Sequence, residues 1–343
     1  MKAFQITGPY EYRFTDDLPK PVPAEGEVLL QVLKVGYCGS DLNTFRGKNP
    51  VVSYPRIPVH EVVARIAETR PETPAELKVG DVVTLLPYTN CGKCMSCLDG
   101  RTNACKDNQT LGVQRDGALT EYMAVPYEKL LTNIEGLSLH EIGLVEPLAV
   151  GYHAAERGEI GKGDFTLIFG CGLVGLGVIA RAAELGGRVI AVDIVDEKLE
   201  TAKQVGAEFT INSASENLEE RVAEITSGFG AKVVVEAIGF NETFRAAVDL
   251  VSFAGRIVYV GYAGTPVEYE TKYFVMKEIQ IRGARNADRK DFFNVLETLK
   301  TGKIPAEKLI TDDLPLDQAG KAIEMWNEDP GRVTKLLITV GEA

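Results

Sequence analysis

The order of apolar and polar residues divides the chain into two regions with different periodicity. Up to about residue 150, short apolar runs rich in β-branched residues are separated by Gly- and Pro-containing breaks, and the clearest runs lie at 27–35, 62–66, 79–86 and 119–125. Runs of this length between turn residues are typical of short β-strands. We therefore predict an irregular β domain over residues 1–150.

After Gly161 the pattern changes to strands that alternate with helices. We predict a strand at 165–169, a helix at 173–185, a strand at 189–192 and a helix at 196–205, followed by strands near 233–237, 257–260 and 279–281. Continuous apolar strands separated by helices indicate a parallel sheet covered on both faces. The prediction is an α/β protein with a doubly wound domain over 151–286. A final segment, 287–343, with a helix at 292–300, is expected to return to the first domain.

Composition narrows the possible partners. The 343 residues carry 37 Lys and Arg against 49 Asp and Glu, which gives a net charge of −12 at pH 7. A field of this sign repels phosphate backbones and anionic lipid, so neither nucleic acid nor a membrane is an expected partner. The sequence has no apolar run of about 18 residues and no signal-peptide layout at its start, and we expect a soluble, cytoplasmic protein.

A glycine pattern follows the predicted strand at 165–169 and opens the predicted helix: Gly170-Cys171-Gly172-Leu173-Val174-Gly175. The first glycine serves the turn, the second allows a pyrophosphate to approach the backbone, and the third allows close helix–strand packing. The helix N-terminus then faces the phosphates. This context predicts a dinucleotide site; the alternative is a Gly-rich turn in another kind of α/β protein.

The acidic residues after the next strand indicate which dinucleotide binds. Asp193 lies eighteen residues past Gly175, where it could accept hydrogen bonds from ribose hydroxyls. Because Asp193 and Asp196 would repel a 2′-phosphate and no Arg follows directly, NAD is favoured over NADP. Lys198 completes the predicted cofactor-binding set. We expect Cys171 to pack rather than to react.

Four of the six cysteines fall within fifteen residues, in the spacing C-x2-C-x2-C-x7-C: Cys91, Cys94, Cys97 and Cys105. Four thiolates in one loop can close a tetrahedron around a zinc ion and leave no open position, so this zinc would be structural. The alternatives are free or redox-active thiols, and an iron–sulfur cluster, although the Cys-Pro ending of the ferredoxin pattern is absent.

Further metal-binding side chains lie upstream and downstream of this loop. They are Cys38 in Gly36-Tyr37-Cys38-Gly39-Ser40-Asp41, the pair His60-Glu61, and Glu146 in Val145-Glu146-Pro147-Leu148. Together with the cysteine loop and the fingerprint, these motifs resemble the zinc-dependent medium-chain dehydrogenases. The resemblance covers essentially the whole chain and is strongest to the polyol and sugar-acid branch, which includes sorbitol dehydrogenase and the L-galactonate oxidoreductases. It implies a GroES-like catalytic domain and a Rossmann domain.

The resemblance also implies roles for individual residues. Cys38 and His60 would bind a catalytic zinc directly, and Glu61 and Glu146 would complete its shell, directly or through water. Ser40 matches the hydroxyl that takes the substrate proton. One catalytic and one structural zinc per chain, NAD, and a homodimer or homotetramer are expected. Taken alone, His60 could be a structural histidine.

Two departures from the family pattern concern the loop that carries His60. Val59 stands where relatives usually have glycine before the His-Glu pair, and Ala64 replaces a second glycine. Their side chains are expected to shift this loop. His153 follows Glu146 by seven residues, and we expect it to be structural.

The expected reaction passes a hydride from a secondary hydroxyl of a polyol or sugar acid to NAD. Arg56, Arg285 and Asn286 are the candidate substrate residues, because a guanidinium suits a carboxylate or several hydroxyls. Either arginine could instead form an inter-domain salt bridge or be solvated. The rival functions are L-threonine 3-dehydrogenase, a general alcohol dehydrogenase, and a non-catalytic NAD-binding protein.

Overall fold

The computed structural model describes residues Met1–Gly341, which form two compact units. The first unit contains Met1–Glu146 and the residues from Ala306 onward, and the second contains Pro147–Pro305. The predicted boundaries were residues 150 and 287. Residues 287–305 group with the second unit because their helix bonds to residues that follow Glu146: Tyr152 Oη donates to Thr298 Oγ1 (2.8 Å), and His153 Nδ1 lies 3.0 Å from Asp291 Oδ2.

The described residues contain fifteen strands: β1 Ala3–Gly8, β2 Glu11–Thr15, β3 Glu27–Gly36, β4 Glu61–Glu68, β5 Val82–Leu85, β6 Tyr122–Pro126, β7 Leu130–Leu131, β8 Phe165–Phe169, β9 Arg188–Asp193, β10 Phe209–Asn212, β11 Ala231–Glu236, β12 Val251–Tyr259, β13 Gln280–Gly283, β14 Asp312–Pro315 and β15 Leu336–Thr339.

The same residues contain twelve α-helices: α1 Gly39–Phe45, α2 Met95–Leu98, α3 Leu139–Gly143, α4 Val145–Gly158, α5 Leu173–Glu184, α6 Asp196–Val205, α7 Leu218–Ile225, α8 Asn241–Leu250, α9 Lys272–Lys277, α10 Arg289–Lys300, α11 Ala306–Leu309 and α12 Ala319–Glu328.

The first unit is built on a mainly antiparallel sheet in the order β14-β15-β3-β4-β5-β7, with β6 paired to β3. Strand β3 is the centre of this sheet, and it is buried along almost its whole length because neighbours cover both of its edges. The C-terminal strand β15 pairs antiparallel with β3. The returning end of the chain therefore completes the sheet that carries β3 and β4.

The second unit is a six-stranded parallel sheet in the order β10-β9-β8-β11-β12-β13. Counted along the chain, this is the order 3-2-1-4-5-6 of the doubly wound dinucleotide-binding fold, whose crevice lies where the order reverses, between β8 and β11. The predicted α/β class and doubly wound sheet are confirmed. Predicted elements 165–169 and 196–205 match β8 and α6 end for end.

None of the helices in the described residues is both long enough and apolar enough to cross a lipid bilayer.

A cluster around His140 joins α3 to the returning segment within the first unit. Its Nδ1 lies 2.9 Å from Glu307 Oε2, and its Nε2 lies 3.0 Å from Asp313 Oδ2. Lys34 on β3 also binds Asp313, and Thr339 Oγ1 donates to it (2.8 Å). A neutral imidazole has one N–H group, so both carboxylate contacts are satisfied only by the protonated ring.

This geometry predicts a pH-dependent contribution to stability. Burial and the Lys34 ammonium lower the pKa of His140, but the hydrogen bonds to Asp313 and Glu307 outweigh them, and the pKa is raised. The contribution is therefore fully present below the unfolded pKa of about 6.5 and is lost as pH rises through the folded pKa. In zinc-loaded protein at pH 6, we expect the unfolding free energy of wild type to be higher than that of His140→Gln by up to about 1 kcal/mol. The difference is small because Glu307 is exposed and water screens its charge.

The measurement is urea unfolding of both proteins between pH 6 and pH 9. The difference between them should shrink toward zero at the alkaline end. A difference that stays constant or grows with pH would contradict the imidazolium assignment.

Candidate metal centres and dinucleotide site

The cysteine loop brings all four predicted sulfurs together. The Sγ atoms of Cys91, Cys94, Cys97 and Cys105 all lie within 4.8 Å of one another, with Cys94 3.5 Å from Cys97 and 3.8 Å from Cys105. A tetrahedron with Zn–S bonds of about 2.3 Å has S–S edges of about 3.8 Å. The sulfurs therefore fit a closed zinc site.

Local hydrogen bonds favour the thiolate of one of the four cysteines, whereas burial and the neighbouring thiols raise the pKa of Cys97 to about 11. The Ser96 hydroxyl and backbone N–H groups lower the pKa of Cys94 to about 5, which favours the thiolate that metals bind. The Cys91 N–H group points to Cys105 Sγ at 3.3 Å. All six cysteines fall within the described residues, and none of them forms a disulfide.

A second donor cluster arises where β3 and β4 lie side by side. Cys38 comes two residues after β3 ends, and His60 comes just before β4 starts; because the strands are antiparallel and Gly36 pairs with Glu61, these ends meet. Donor atoms of Cys38, His60 and Glu61 lie within 4.8 Å of one another. A Cβ on Gly36 would come within 2.1 Å of Glu61 Oε2, so a side chain there would displace the Glu61 carboxylate.

Asp41 fixes the two loops that carry the ligands. One of its oxygens accepts from the Cys38 N–H (2.9 Å) and the other from the Val59 N–H (2.9 Å). Val59 has φ +82°, a conformation that glycine adopts readily and that is strained for a β-branched residue. Residue 59 thus has a backbone conformation that favours glycine, and this conformation is strained because the residue is valine.

Two buried side chains that were not predicted from the sequence donate hydrogen bonds to the carboxylates of Glu61 and Glu146. Lys335 on the approach to β15 is 4% exposed, and its Nζ donates to both oxygens of Glu61 at 2.7 and 2.6 Å and to the Tyr37 carbonyl at 2.8 Å. Tyr88 donates to Glu146 Oε1. The position of Lys335 inside the largely apolar segment 333–340 was a sequence signal that this lysine is buried with a partner. No sequence feature indicated the contact between Tyr88 and Glu146.

The charges and unpaired polar atoms around Cys38, His60 and Glu61 show whether a cation suits this cluster. Burial raises the pKa of Glu61 to about 7 despite its Lys335 partner. Burial lowers the pKa of His60, but Cys38, Glu146 and Asp41 raise it well above its usual value. Among the described residues, His60 Nδ1 and Ser40 Oγ are buried without a hydrogen-bond partner. A buried set of thiolate, imidazole and carboxylate donors suits zinc.

The glycine fingerprint lies at the carboxyl end of β8, beside the point where the strand order reverses. Gly170 has φ +93°, and a Cβ on Gly175 would meet Gly170 O at 1.8 Å. A Cβ on Gly172 would meet nothing within 4 Å, and α5 begins there without a side-chain cap. Open space in front of uncapped N–H groups fits a pyrophosphate. Cys171 is buried, as expected.

Asp193 stands beside the fingerprint at the end of β9. Its Oδ2 accepts from the Cys171 N–H (2.8 Å), and its Oδ1 accepts from the backbone N–H groups of Ile194 (2.8 Å) and Val195 (3.1 Å). Leu173 is buried, and Lys198 is half-buried and close enough to act on the pKa of Cys171. Through its hydrogen bonds to the backbone, the Asp193 carboxylate joins the glycine turn to the segment just before α6.

Comparison with known proteins agrees with this arrangement. The alcohol dehydrogenase GroES-like domain family matches residues 24–135, and the zinc-binding dehydrogenase family matches residues 174–301. The chain belongs to the zinc-type alcohol dehydrogenase family. This membership confirms the predicted enzyme class and the GroES-like and Rossmann folds.

Relatives within the zinc-type alcohol dehydrogenase family include two curated bacterial enzymes. The chain is 34% identical to a sorbitol dehydrogenase of Bacillus subtilis, over 98% of this chain and 97% of the relative. It is 31% identical to L-galactonate-5-dehydrogenase of Escherichia coli, over 89% of each chain. A crystal structure of an Escherichia coli alcohol dehydrogenase in complex with NADH superposes with a TM-score of 0.90, at 31% identity and 99% coverage of both chains.

The candidate substrate residues of this zinc-type alcohol dehydrogenase lie in different settings. Arg56 is 9% exposed; it binds Asp116 (3.0 Å) and Ser53 (2.8 Å), so its guanidinium is already engaged within the first unit. Arg285 is exposed, and Asn286 has φ +53°; both follow β13 at the carboxyl edge of the parallel sheet. Arg56 thus forms an ion pair, but this pair lies within the first unit and is not the inter-domain salt bridge considered as the alternative.

Proposed function

We propose that this chain oxidises a secondary hydroxyl of a polyol or sugar acid, with NAD as the hydride acceptor. The observation that carries the proposal is the buried cluster of Cys38, His60 and Glu61, whose donor atoms converge within 4.8 Å. A zinc ion held there would lower the pKa of a substrate hydroxyl, and NAD would accept the hydride. The structural zinc would be held by the cysteine loop.

The chain's own residues supply alignment and a proton acceptor. Asp41 fixes the loops of Cys38 and His60 through its two backbone hydrogen bonds. Ser40 Oγ, buried without a partner among the described residues, is the proposed acceptor of the substrate proton and would pass its own proton to water. Glu61, bound to Lys335, completes the donor set.

Two features support NAD as the preferred cofactor. Asp193 and Asp196 would repel the 2′-phosphate of NADP, and Asp196 accepts a hydrogen bond from Asn212 Nδ2 at 2.6 Å. The superposed Escherichia coli structure contains NADH.

The substrate class rests on Arg285 and on the relatives. A guanidinium at the carboxyl edge of a doubly wound sheet is suited to bind a substrate carboxylate. The sorbitol and L-galactonate dehydrogenases named above act on a polyol and on a sugar acid. An NAD and NADP reduction screen over polyols, aldonates, L-threonine and ethanol tests the proposal; preference for ethanol or threonine over every sugar derivative would contradict it.

Arg285→Met gives a more specific prediction. Loss of a charge-assisted hydrogen bond is expected to lower kcat/KM toward the best aldonate, by an amount that corresponds to about 1 to 3 kcal/mol of transition-state stabilisation. The kcat/KM values for neutral polyols should stay nearly unchanged. The measurement is steady-state kinetics with both substrate types. Arg245→Met removes another exposed arginine of the second unit and should leave both values unchanged. An unchanged aldonate kcat/KM in Arg285→Met would remove Arg285 from the substrate site.

A further inference from the structure

The contact between Tyr88 and Glu146 lies beside the proposed catalytic metal site. Tyr88 is 5% exposed, and its hydroxyl donates to Glu146 Oε1. Its position is well fixed, because Tyr88 forms a β-bridge with Thr110 and the Thr89 N–H donates to the Gln109 carbonyl at 3.2 Å. The acceptor, 6% exposed, lies in the first turn of α4. A rigid buried phenol thus holds a rigid buried carboxylate.

The two carboxylates near Cys38 and His60 differ in where they lie. Among the described residues, Glu61 has an oxygen within 4.8 Å of donor atoms of both Cys38 and His60, whereas Glu146 does not join that donor group. Glu146 is nevertheless near enough to interact electrostatically with His60 and Glu61. The hydrogen bond from Tyr88 holds Oε1 of Glu146 in its present place, outside that donor group.

We propose that Tyr88 is a positioning residue that holds Glu146 outside the Cys38–His60–Glu61 donor cluster and thereby decides which carboxylate binds the metal ion. The proposal rests on the proposed function only in taking this cluster as the catalytic zinc site. A hydrogen bond to a carboxylate is charge-assisted and directional, so it can fix an outer carboxylate as firmly as a ligand is fixed. The site then keeps three protein ligands and one open position.

Removing the phenol hydroxyl would release Glu146. With Tyr88→Phe, the ring still fills its buried space, but the carboxylate loses its donor and becomes free to bind the metal ion as a fourth protein ligand. The open position would then be closed. We expect kcat/KM to fall about ten-fold or more while the metal ion is retained more firmly. A purely structural role of Tyr88 would instead weaken both activity and metal retention.

The test uses the full-length enzyme with Co²⁺ exchanged for zinc, because the visible absorption of Co²⁺ reports its ligands. The spectra of wild type, Tyr88→Phe, Glu146→Gln and the double variant are compared, and the contribution of the unchanged cysteine loop cancels between them. We expect Glu146→Gln to leave the wild-type spectrum unchanged, Tyr88→Phe to change it, and the double variant to restore it. Release of zinc to a chelator should be slower in Tyr88→Phe than in wild type.

Tyr152→Phe is the matched control. Tyr152 is also buried and also donates to a carboxylate, Glu184 (3.1 Å), but this contact is not part of the donor cluster. Its removal should leave the spectrum unchanged. A Tyr88→Phe spectrum equal to that of wild type, or a change that persists in the double variant, would overturn the proposal.

The Glu146→Gln spectrum needs no replacement of Tyr88. It therefore keeps the proposal falsifiable even if Tyr88→Phe fails to fold: a changed spectrum would show that Glu146 is already a ligand and would overturn the proposal, and an unchanged spectrum would support the placing of Glu146 outside the ligands. Failure of the proposed substrate class would leave all these spectra as expected, so the two outcomes are distinguishable.

Discussion

Replacing Cys38 by alanine is expected to stop turnover and to lower the zinc content from two ions per chain to one. The donor cluster would keep only His60 and Glu61, too few ligands to hold the ion in place. Metal-ion catalysis contributes several kcal/mol, so the loss in kcat should be about a thousand-fold or more. Elemental analysis and steady-state kinetics measure the two effects, and binding of NADH, followed by the fluorescence of its reduced nicotinamide, should be retained.

The reciprocal variant separates the two metal sites. Cys94→Ser should also lower the zinc content to one ion, but by opening the cysteine loop, so the Cys38 cluster keeps its ligands. We expect a lower unfolding temperature together with turnover by the protein that stays folded. Two zinc ions, or full activity, in Cys38→Ala would contradict the assignment of the catalytic site.

Replacing Lys335 by methionine is expected to cost up to about 3 to 5 kcal/mol of unfolding free energy, because it leaves Glu61 buried without its ammonium partner. The cost is smaller where the Glu61 carboxyl, whose pKa is already raised to about 7, takes up a proton. Glu61 is 1% exposed, so water cannot take the place of the ammonium. The Tyr37 carbonyl loses its donor in the same variant. Urea unfolding of wild type and the variants after zinc has been removed with a chelator measures the effect, because no metal ion then pairs with Glu61.

A second substitution shows whether the lost charge is the cause. Lys335→Met combined with Glu61→Gln should recover a large part of the stability, because the buried negative charge is gone. Lys34→Met is the matched control: Lys34 pairs on the same sheet with Asp313, whose side chain is 25% exposed, and its loss should be smaller. Equal losses in the two lysine variants would contradict the argument from burial.

Most of the doubly wound sheet could be predicted from the sequence. Its strands are buried on both faces and so are continuously apolar, as in β8 and β9, and helices of ordinary length separate them. The first unit was harder to predict. Its β2 is mostly exposed, and β14 is short and carries two aspartates, so neither has a pattern of its own. Pairing with other strands makes these segments strands.

The metal sites could be predicted to different degrees. The cysteine loop is local, so its spacing was enough to bring the four sulfurs together. Cys38 and His60 are twenty-two residues apart, and they were found through the family resemblance. Lys335 lies some 270 residues from Glu61, and only the pairing of β15 with β3 brings the segment that carries it to the site.

The sequence by itself therefore determined the α/β class, the glycine turn and the loop that brings four cysteines together. These features depend on periodicity or on short spacings, which the chain carries locally. The tertiary structure alone decided the partners of the two carboxylates, Lys335 for Glu61 and Tyr88 for Glu146, and the engagement of Arg56 by Asp116. The physical reason is that burial and long-range strand pairing select these contacts, and neither has a local signal.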